Sequence, residues 1–154
     1  MKTCFKILVG VFLAMGLTLA GARQPSVAAS GALPDLTVTS IKFEVVDKQA
    51  DAKGNVYYIF NVYVTIHNQG KGAAEAFQVL LTRNIGEGGS FQIACPTCWP
   101  TVPGLAPGEY KTLDPRQFNN AGNMNSTFSA KVDFPDNVRE TDETNNTATE
   151  TFRF

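Results

Sequence analysis

The stretch STFSAKVDFPDNVRETDETNNTATETFRF, residues Ser126–Phe154, decides the fold of this chain. Apolar and polar residues alternate in Thr127–Phe134 and again in Thr147–Phe154, and this period of two is typical of half-buried β-strands. The acidic and amide residues between them are typical of a turn. The side chains predicted to point inward are Phe128, Ala130, Val132, Phe134, Ala148, Phe152 and Phe154. We therefore predict two paired strands, against which further strands pack.

The upstream chain repeats short alternating runs rich in Val, Ile, Thr, Phe and Tyr, and no run has a helical period. The predicted strands are Asp35–Val46, Val56–His67, Glu75–Thr82, a short one in Phe91–Ala94, and one beginning at Tyr110–Leu113. In the second, Tyr58, Phe60, Val62, Val64 and Ile66 are the predicted core residues. Evenly spaced strands separated by Gly, Pro and Asn are typical of sandwiches. We predict an all-β, Ig-like antiparallel β-sandwich of about seven strands.

The apolar phase of the first predicted strand changes near Ser40. Because neighbouring side chains of a strand point to opposite faces, such a change requires a bulge or a bend. We predict that the first strand crosses from one sheet to the other at this point.

The chain begins with the pattern of a secretory signal peptide. Lys2 and Lys6 precede the apolar run Ile7–Leu19, and Ala20–Ala22 offers small residues for cleavage. This run is shorter than the roughly 20 residues that span a bilayer. We predict a signal peptide at residues 1–22, a flexible leader at 23–33 and one domain at 34–154, secreted or periplasmic and without membrane insertion after cleavage.

Composition and motifs exclude several functions. Cleavage after Ala22 leaves 11 basic and 14 acidic residues, a balance that does not indicate nucleic acid as a partner. The chain has one histidine, His67, and it has no nucleophile elbow and no phosphate-binding glycine loop before a helix. We predict a protein that is not an enzyme and has no cofactor.

Four motifs resemble the CARDB family, the cell-adhesion-related domain found in bacteria. They are PDLTVTSI at Pro34–Ile41, VYVTIHNQGKGAA at Val62–Ala74, GLAPGE at Gly104–Glu109 and VDFPDNVRETDETNN at Val132–Asn146. Together they span nearly the whole predicted domain. The resemblance implies an Ig-like sandwich of seven strands in an exported bacterial protein, with a role in adhesion, binding or spacing and no catalytic activity. The CPTCW run departs from the family pattern.

Cys95 and Cys98 permit three interpretations. Export favours a disulfide between them, which closes a very small loop. A redox-active pair requires a helix N-terminus, and the sequence predicts no helix here. Zinc requires about four ligands, and the chain has a single histidine, His67, and no second cysteine pair, so a closed site is hard to assemble. We predict the disulfide, and a thiol-redox or metal-handling protein of the cell envelope is the alternative.

The acidic turn also has two interpretations. Asp133, Asp136, Glu140, Asp142, Glu143, Asn145 and Asn146 are oxygen ligands of the kind that Ca²⁺ prefers. Their spacing differs from the helix-loop-helix calcium motif, and Asp and Asn also build turns through backbone hydrogen bonds. We predict a structural turn with no metal, in which Val138 closes the end of the core. Whether the turn binds Ca²⁺ stays open.

Trp99 is the single tryptophan and lies beside the cysteine pair. An aromatic residue on a rigid loop suits a contact surface, although it could also cover one end of the sandwich. Tyr57, Ile59 and Tyr63 pose a similar question, either as a second buried face or as an adhesive surface. We predict a non-catalytic exported binding or adhesion module that uses Trp99 to contact a protein or a cell-surface glycan. A structural subunit that pairs through an edge strand is a further alternative.

Overall fold

The structure is a computed structural model that describes residues 31–86, 92–93, 101–121 and 124–153; of residues 92, 93 and 121 it describes the backbone alone. Across these ranges there are strands and no helix. The strands are β1 (Leu36–Ala50), β2 (Val56–Asn68), β3 (Val79–Ile85), β4 (Gln92–Ile93), β5 (Tyr110–Thr112), β6 (Arg116–Ala121), β7 (Ser126–Val132) and β8 (Thr147–Phe152). A membrane-crossing helix is accordingly not found in the part of the chain described.

The strands form two antiparallel sheets. In the first sheet β2 is central, with β1 on one side and both β5 and β6 on the other. In the second sheet the order is β4-β3-β7-β8. The pairing of β7 with β8 is the predicted pair on which the fold was inferred. The predicted all-β antiparallel sandwich is confirmed.

The core lies between β2 of the first sheet and β3 and β7 of the second. Every second residue of β2 from Phe60 to Ile66 is completely buried, whereas Tyr58, which was also predicted to be core, is only half-buried. Phe60 stacks on Phe152 with 4.3 Å between ring centroids and meets Phe128 edge-on at 6.0 Å. Each such side chain contributes roughly 1.5–3 kcal/mol on full burial. Aromatic contacts thus help to join the two sheets.

Two predictions about individual strands need correction. The bulge near Ser40 exists, because the β1–β2 register shifts between Val38 and Ser40. The predicted crossing is wrong, since β1 stays paired with β2 along its whole length. A further strand that was not predicted, β6, pairs with Tyr57–Val62 of β2. Pro115 directly precedes this strand, a position where proline costs no ladder hydrogen bond.

Phe134 was predicted to point inward and is instead 39% exposed. The alternation of β7 ends at Asp133, whose φ of 53° turns the chain over the end of the sandwich. The backbone N–H of Phe134 then donates to the carbonyl of Gln78, at 3.1 Å. In β8 Phe152 is buried and Ala148 packs partly against the core, while Phe154 lies outside the described residues.

The sandwich has two ends that differ in chemistry. The acidic end contains the start of β1, the end of β2 and the connection between β7 and β8, residues 133–146. The hairpin end contains the β1–β2 turn, residues 51–55, together with the start of β7 and the end of β8.

Candidate functional site

The β7–β8 connection is organised by the buried carboxylate of Asp133. Its Oδ1 accepts the backbone N–H of Asn137 at 3.2 Å, and its Oδ2 accepts that of Val138 at 2.9 Å. Asp is one of the few residues that adopt a positive φ at modest cost, and this explains its place at the turn. Val138 is buried and belongs to the core cluster, as predicted.

Glu140 is the second buried carboxylate, with 6% of its surface exposed. It accepts the backbone N–H of Leu36 at the start of β1, and its Oε1 accepts the Nδ2–H of Asn146 at 2.8 Å. Burial raises the pKa of Glu140 to about 7, and the nearby charges of Glu143 and Asp133 act in the same direction. Glu140 therefore links the acidic turn to a strand more than 100 residues away in the sequence.

Three carboxylates converge at this point. Asp133, Glu140 and Glu143 each place a carboxylate oxygen within 4.8 Å of the others. Glu143 is exposed, and its Oε1 accepts the backbone N–H of Glu140 at 2.9 Å. Asn146 is 2% exposed, and its Oδ1 is buried without a hydrogen-bond partner. We call these four residues the acidic cluster.

Next to the acidic cluster, the fully buried amide of Asn68 joins four backbone groups. Its Oδ1 accepts the N–H groups of Asp35 and Gly70, each at 3.1 Å. Its Nδ2 donates to the carbonyls of Gly72 and Leu105, at 2.8 and 3.0 Å. All four hydrogen-bonding sites of the amide are used. Asn68 thereby fixes the end of β2 and the turn that follows it.

The carboxylate of Asp35 extends this network to the β7–β8 connection. It accepts the Nδ2–H of Asn145 at 2.8 Å and the Nε2–H of Gln69 at 3.0 Å. The backbone of Thr141 also donates to the carbonyl of Pro34, at 2.8 Å. Residues that adjoin strands of both sheets thus meet at the acidic end.

The structure separates the residues that the sequence grouped as oxygen ligands. Asp136 forms an ion pair with Lys131 at 2.8 Å, outside the acidic cluster. Asp142 accepts hydrogen bonds from the Oγ1–H and N–H of Thr144, and these bonds, the side-chain one first, lower the pKa of Asp142. Sequence reasoning missed Asp35 and Asn68, although both lie within motifs that resemble the CARDB family.

The CARDB family model matches residues 33–150 of this chain. The chain belongs to the CARDB family. It is similar to two solved structures of the CARDB domain of the PF1109 protein from Pyrococcus furiosus. One is a crystal structure in complex with di-metal ions, which is 28% identical, covers 79% of this chain and 88% of that chain, and gives a TM-score of 0.47. The other is a solution NMR structure, which is 21% identical, covers 79% and 94%, and gives a TM-score of 0.39. A search of curated proteins gives no match.

The CARDB family is an adhesion-related family of domains that are not known as catalysts.

His67 of this CARDB domain lies at the end of β2 and stacks on Tyr110 with 3.8 Å between ring centroids. The acidic cluster offers hard oxygen atoms, which suit a cation or a hydrogen-bond donor better than they suit a nucleophilic mechanism.

Cys95, Cys98 and Trp99 lie outside the described residues, so the disulfide and the contact role of Trp99 stay predictions. The residues that flank this connection do have described partners. Ile93 pairs with Thr82 of β3, and Val102 exchanges backbone hydrogen bonds of 2.8 and 3.1 Å with Phe77.

The outer face of β2 contains the aromatic residues whose role was in question. Tyr57, Ile59 and Tyr63 are half-buried. The Tyr63 hydroxyl donates to Glu44 at 2.5 Å, and the Tyr57 hydroxyl donates to Asp51 at 3.2 Å. This face is therefore only partly buried, and the hydroxyls of both tyrosines are used in hydrogen bonds to acidic residues of β1 and of the β1–β2 turn.

Proposed function

We propose that this CARDB domain is an exported, non-catalytic binding module of the adhesion type. The observation that carries the proposal is the family match over residues 33–150, which takes in all eight strands but the last two residues of β8. The use of the buried polar groups supports it. Asp133, Glu140 and Asn68 hold backbone N–H and carbonyl groups in place, which is a structural use of carboxylates and amides.

The binding surface that we propose is the connection with Cys95, Cys98 and Trp99, and the partner is a protein or a cell-surface glycan. Its flanks are fixed by the pairing of Ile93 and of Val102 along one edge of the second sheet. A disulfide between the two cysteines would restrict the connection further. A restricted loop loses less conformational entropy when it binds, so Trp99 could act as an anchor at low cost.

Export is tested with the full-length chain, expressed with its own N-terminus in a bacterial host. Mass spectrometry of the periplasmic and secreted fractions should find a mature chain that begins at Arg23. An unprocessed chain confined to the cytoplasm would contradict the proposal.

Binding is tested by titrating the labelled mature protein onto intact bacterial cell envelopes and onto a glycan array. Trp99→Ala should abolish binding, because it removes the anchor. Tyr110→Ala is the matched control, since Tyr110 is an exposed aromatic residue that lies on β5, and it should bind like the wild type. Binding that survives Trp99→Ala, or no binding in either format, would refute this surface.

The redox alternative uses the same two cysteines, so a dithiol-exchange assay separates it from the binding proposal. The wild-type protein should show no turnover, and Cys98→Ser should not differ from it. Free thiols in protein purified from the periplasm would contradict the disulfide.

Pairing through an edge strand is opposed by the chemistry of β1. Within the described residues β1 pairs with β2 alone, and Val45 and Val46 are about half exposed. However, β1 contains Lys42, Glu44, Asp47 and Lys48, and its register shifts twice. Charges and bulges are the usual protection of edge strands against pairing. We therefore expect a monomer in sedimentation at all accessible concentrations.

A further inference from the structure

We propose that the acidic cluster binds one divalent cation, with Ca²⁺ as the preferred ion, between Asp133, Glu140, Glu143 and Asn146. This site differs from the surface proposed around Trp99 and does not depend on it. Three observations support it: the distances between the carboxylates, an unpartnered amide oxygen, and the lack of an ion pair to these carboxylates among the described residues.

The first observation is geometric. Asp133, Glu140 and Glu143 each place an oxygen within 4.8 Å of the others. Oxygen ligands lie about 2.3–2.6 Å from Ca²⁺, so two ligands of one ion are separated by at most about 5 Å. These separations are therefore in the range at which three carboxylates can share one Ca²⁺. Mg²⁺ binds at about 2.0–2.1 Å in a rigid octahedron, and the separation allowed between its ligands is correspondingly shorter.

The second observation is independent of the carboxylates. The side chain of Asn146 is almost completely buried, and its Oδ1 has no hydrogen-bond partner. Its Nδ2 donates to Oε1 of Glu140 at 2.8 Å, so the amide group lies against the cluster. Buried polar atoms without a partner are rare, and an ion is one of the few things that account for them. An amide oxygen is also a regular ligand of Ca²⁺.

The third observation is the local charge. Among the described residues, none of the three carboxylates forms an ion pair, and the nearby Lys131 is paired with Asp136 instead. Two of the three side chains are buried. Each carboxylate accepts one or two N–H groups but retains lone pairs that can bind a cation. A divalent cation would supply the missing positive charge at the place where negative charge is concentrated.

The proposed ion would connect distant parts of the chain. Glu140 accepts the backbone N–H of Leu36, and Val132 donates to the carbonyl of Asn146 at 3.0 Å. An ion in the cluster would therefore stabilise the start of β1 together with the β7–β8 connection. Because an ion that binds the folded state alone raises its stability, the melting temperature should rise with Ca²⁺ concentration.

The test uses the mature protein, stripped with EDTA and dialysed, in calorimetric and thermal-melting titrations with CaCl₂ and with MgCl₂. Binding sites in extracellular modules have dissociation constants of about 10⁻⁴–10⁻³ M, so the titration should extend to about 5 mM. We expect saturable binding of one Ca²⁺ per chain, weaker binding of Mg²⁺, and a rise in melting temperature.

Glu143→Gln is the informative variant, because Glu143 is exposed and glutamine keeps an Oε1 that can accept the backbone N–H of Glu140. It should weaken Ca²⁺ binding roughly tenfold or more through the lost charge. Asp142→Asn is the matched control, since it removes the same charge one residue away and outside the cluster. It should bind Ca²⁺ like the wild type. No heat and no melting shift at about 5 mM Ca²⁺ would overturn the proposal. An equal loss in both variants would also overturn it, because it would indicate nonspecific charge screening.

Discussion

Two turns of this domain, one at each end of the sandwich, are built around an aspartate carboxylate, and they differ in how deeply that carboxylate is buried. At the hairpin end, Asp51 accepts the backbone N–H groups of Lys53 and Asn55, both at 2.8 Å, and the hydroxyl of Tyr57. All of these partners lie within six residues of it. At the acidic end, Asp133 is completely buried and adjoins Glu140, which reaches β1.

The difference shows how the free energy lost on removing a hydrogen-bond partner depends on the burial of the polar group that remains. Water can replace any hydrogen bond of an exposed turn, so the net value of each is small. A buried group has no such replacement, and losing its partner costs the full desolvation penalty. The hairpin end should therefore tolerate substitution, whereas the acidic end should not.

The largest effect that we expect is at Asn68. Asn68→Ala leaves two N–H groups and two carbonyls without their buried partner, at about 1–3 kcal/mol each before water re-enters. We expect a total loss of about 3–5 kcal/mol in the free energy of unfolding. At the hairpin end, Asn55→Ala removes an exposed side-chain bond to Asp51 and should cost less than about 1 kcal/mol.

Urea denaturation of the mature protein, monitored by the fluorescence of its tyrosines and tryptophan, measures both variants. Equal losses for Asn68→Ala and Asn55→Ala would show that burial does not distinguish the two ends.

A slightly smaller effect is expected from two glycines. A Cβ on Gly72 would lie 2.1 Å from the carbonyl oxygen of Ala32, so Gly72→Ala must displace the segment before β1. We expect a cost of about 2–3 kcal/mol. Gly54 has a φ of +81° and open space around it, so Gly54→Ala costs only the backbone strain, about 1 kcal/mol. Thermal melting compares the two, and a larger loss for Gly54→Ala would contradict the steric argument.

How much the sequence could predict also differs from one region of the molecule to another. The strands β2 and β7 were predictable because their alternation is local, and the inward positions from Phe60 to Ile66 and from Phe128 to Val132 are buried as expected. The error at Phe134 arose because alternation predicts a face but does not report where the backbone turns. The strand β6 was missed because RQFNNA has little alternation and forms by pairing with β2.

The acidic end was predictable only in part. The sequence pointed to the acidic turn, since its ligands are concentrated within 14 residues. It could not show that Asp133, Glu140 and Glu143 converge while Asp136 and Asp142 point to other partners. Nor could it place Asp35 beside Asn145, because these residues are 110 positions apart and meet only in the folded chain.

A third prediction concerns pH, in the presence of EDTA. The pKa of Glu140 is raised to about 7, mainly by burial, from an ordinary value of 4.5. Between these values the folded chain holds more protons than the unfolded chain, so stability should fall as the pH rises through this window. One pKa unit corresponds to about 1.4 kcal/mol, and we expect a decrease on the order of 2 kcal/mol between about pH 5 and pH 8.

Glu140→Gln should remove this slope, since the side chain no longer titrates. Asp51→Asn is the control at the hairpin end. Hydrogen bonds from the Asn55 side chain and backbone lower the pKa of Asp51, so its contribution is lost only as the pH falls below its ordinary value of 3.8. The slope between about pH 5 and pH 8 should therefore be unchanged in Asp51→Asn. A flat profile in the wild type would contradict the burial of a charged Glu140.

The smallest expected effect is at Asp136, where two minor contributions have opposite signs. Its ion pair with Lys131 is at the surface, where such pairs contribute about 0–1 kcal/mol. Its φ of 75° strains any residue with a Cβ, and glycine relieves that strain. Asp136→Gly should change the free energy of unfolding by no more than about 0.5 kcal/mol, whereas Asp136→Ala keeps the strain, loses the ion pair and should cost about 1 kcal/mol.

Asp136 and Gly54 have nearly the same φ, 75° and 81°, at opposite ends of the molecule. If the backbone strain depends on φ alone, Asp136→Ala should be less stable than Asp136→Gly by about the amount that Gly54→Ala costs in the same urea titration, because each pair compares alanine with glycine at nearly the same φ. Agreement would mean that exposed positions at the acidic end behave like those at the hairpin end. The sensitivity of the acidic end would then belong to its buried carboxylates and amides. A much larger loss for Asp136→Ala would instead extend that sensitivity to the surface of the turn.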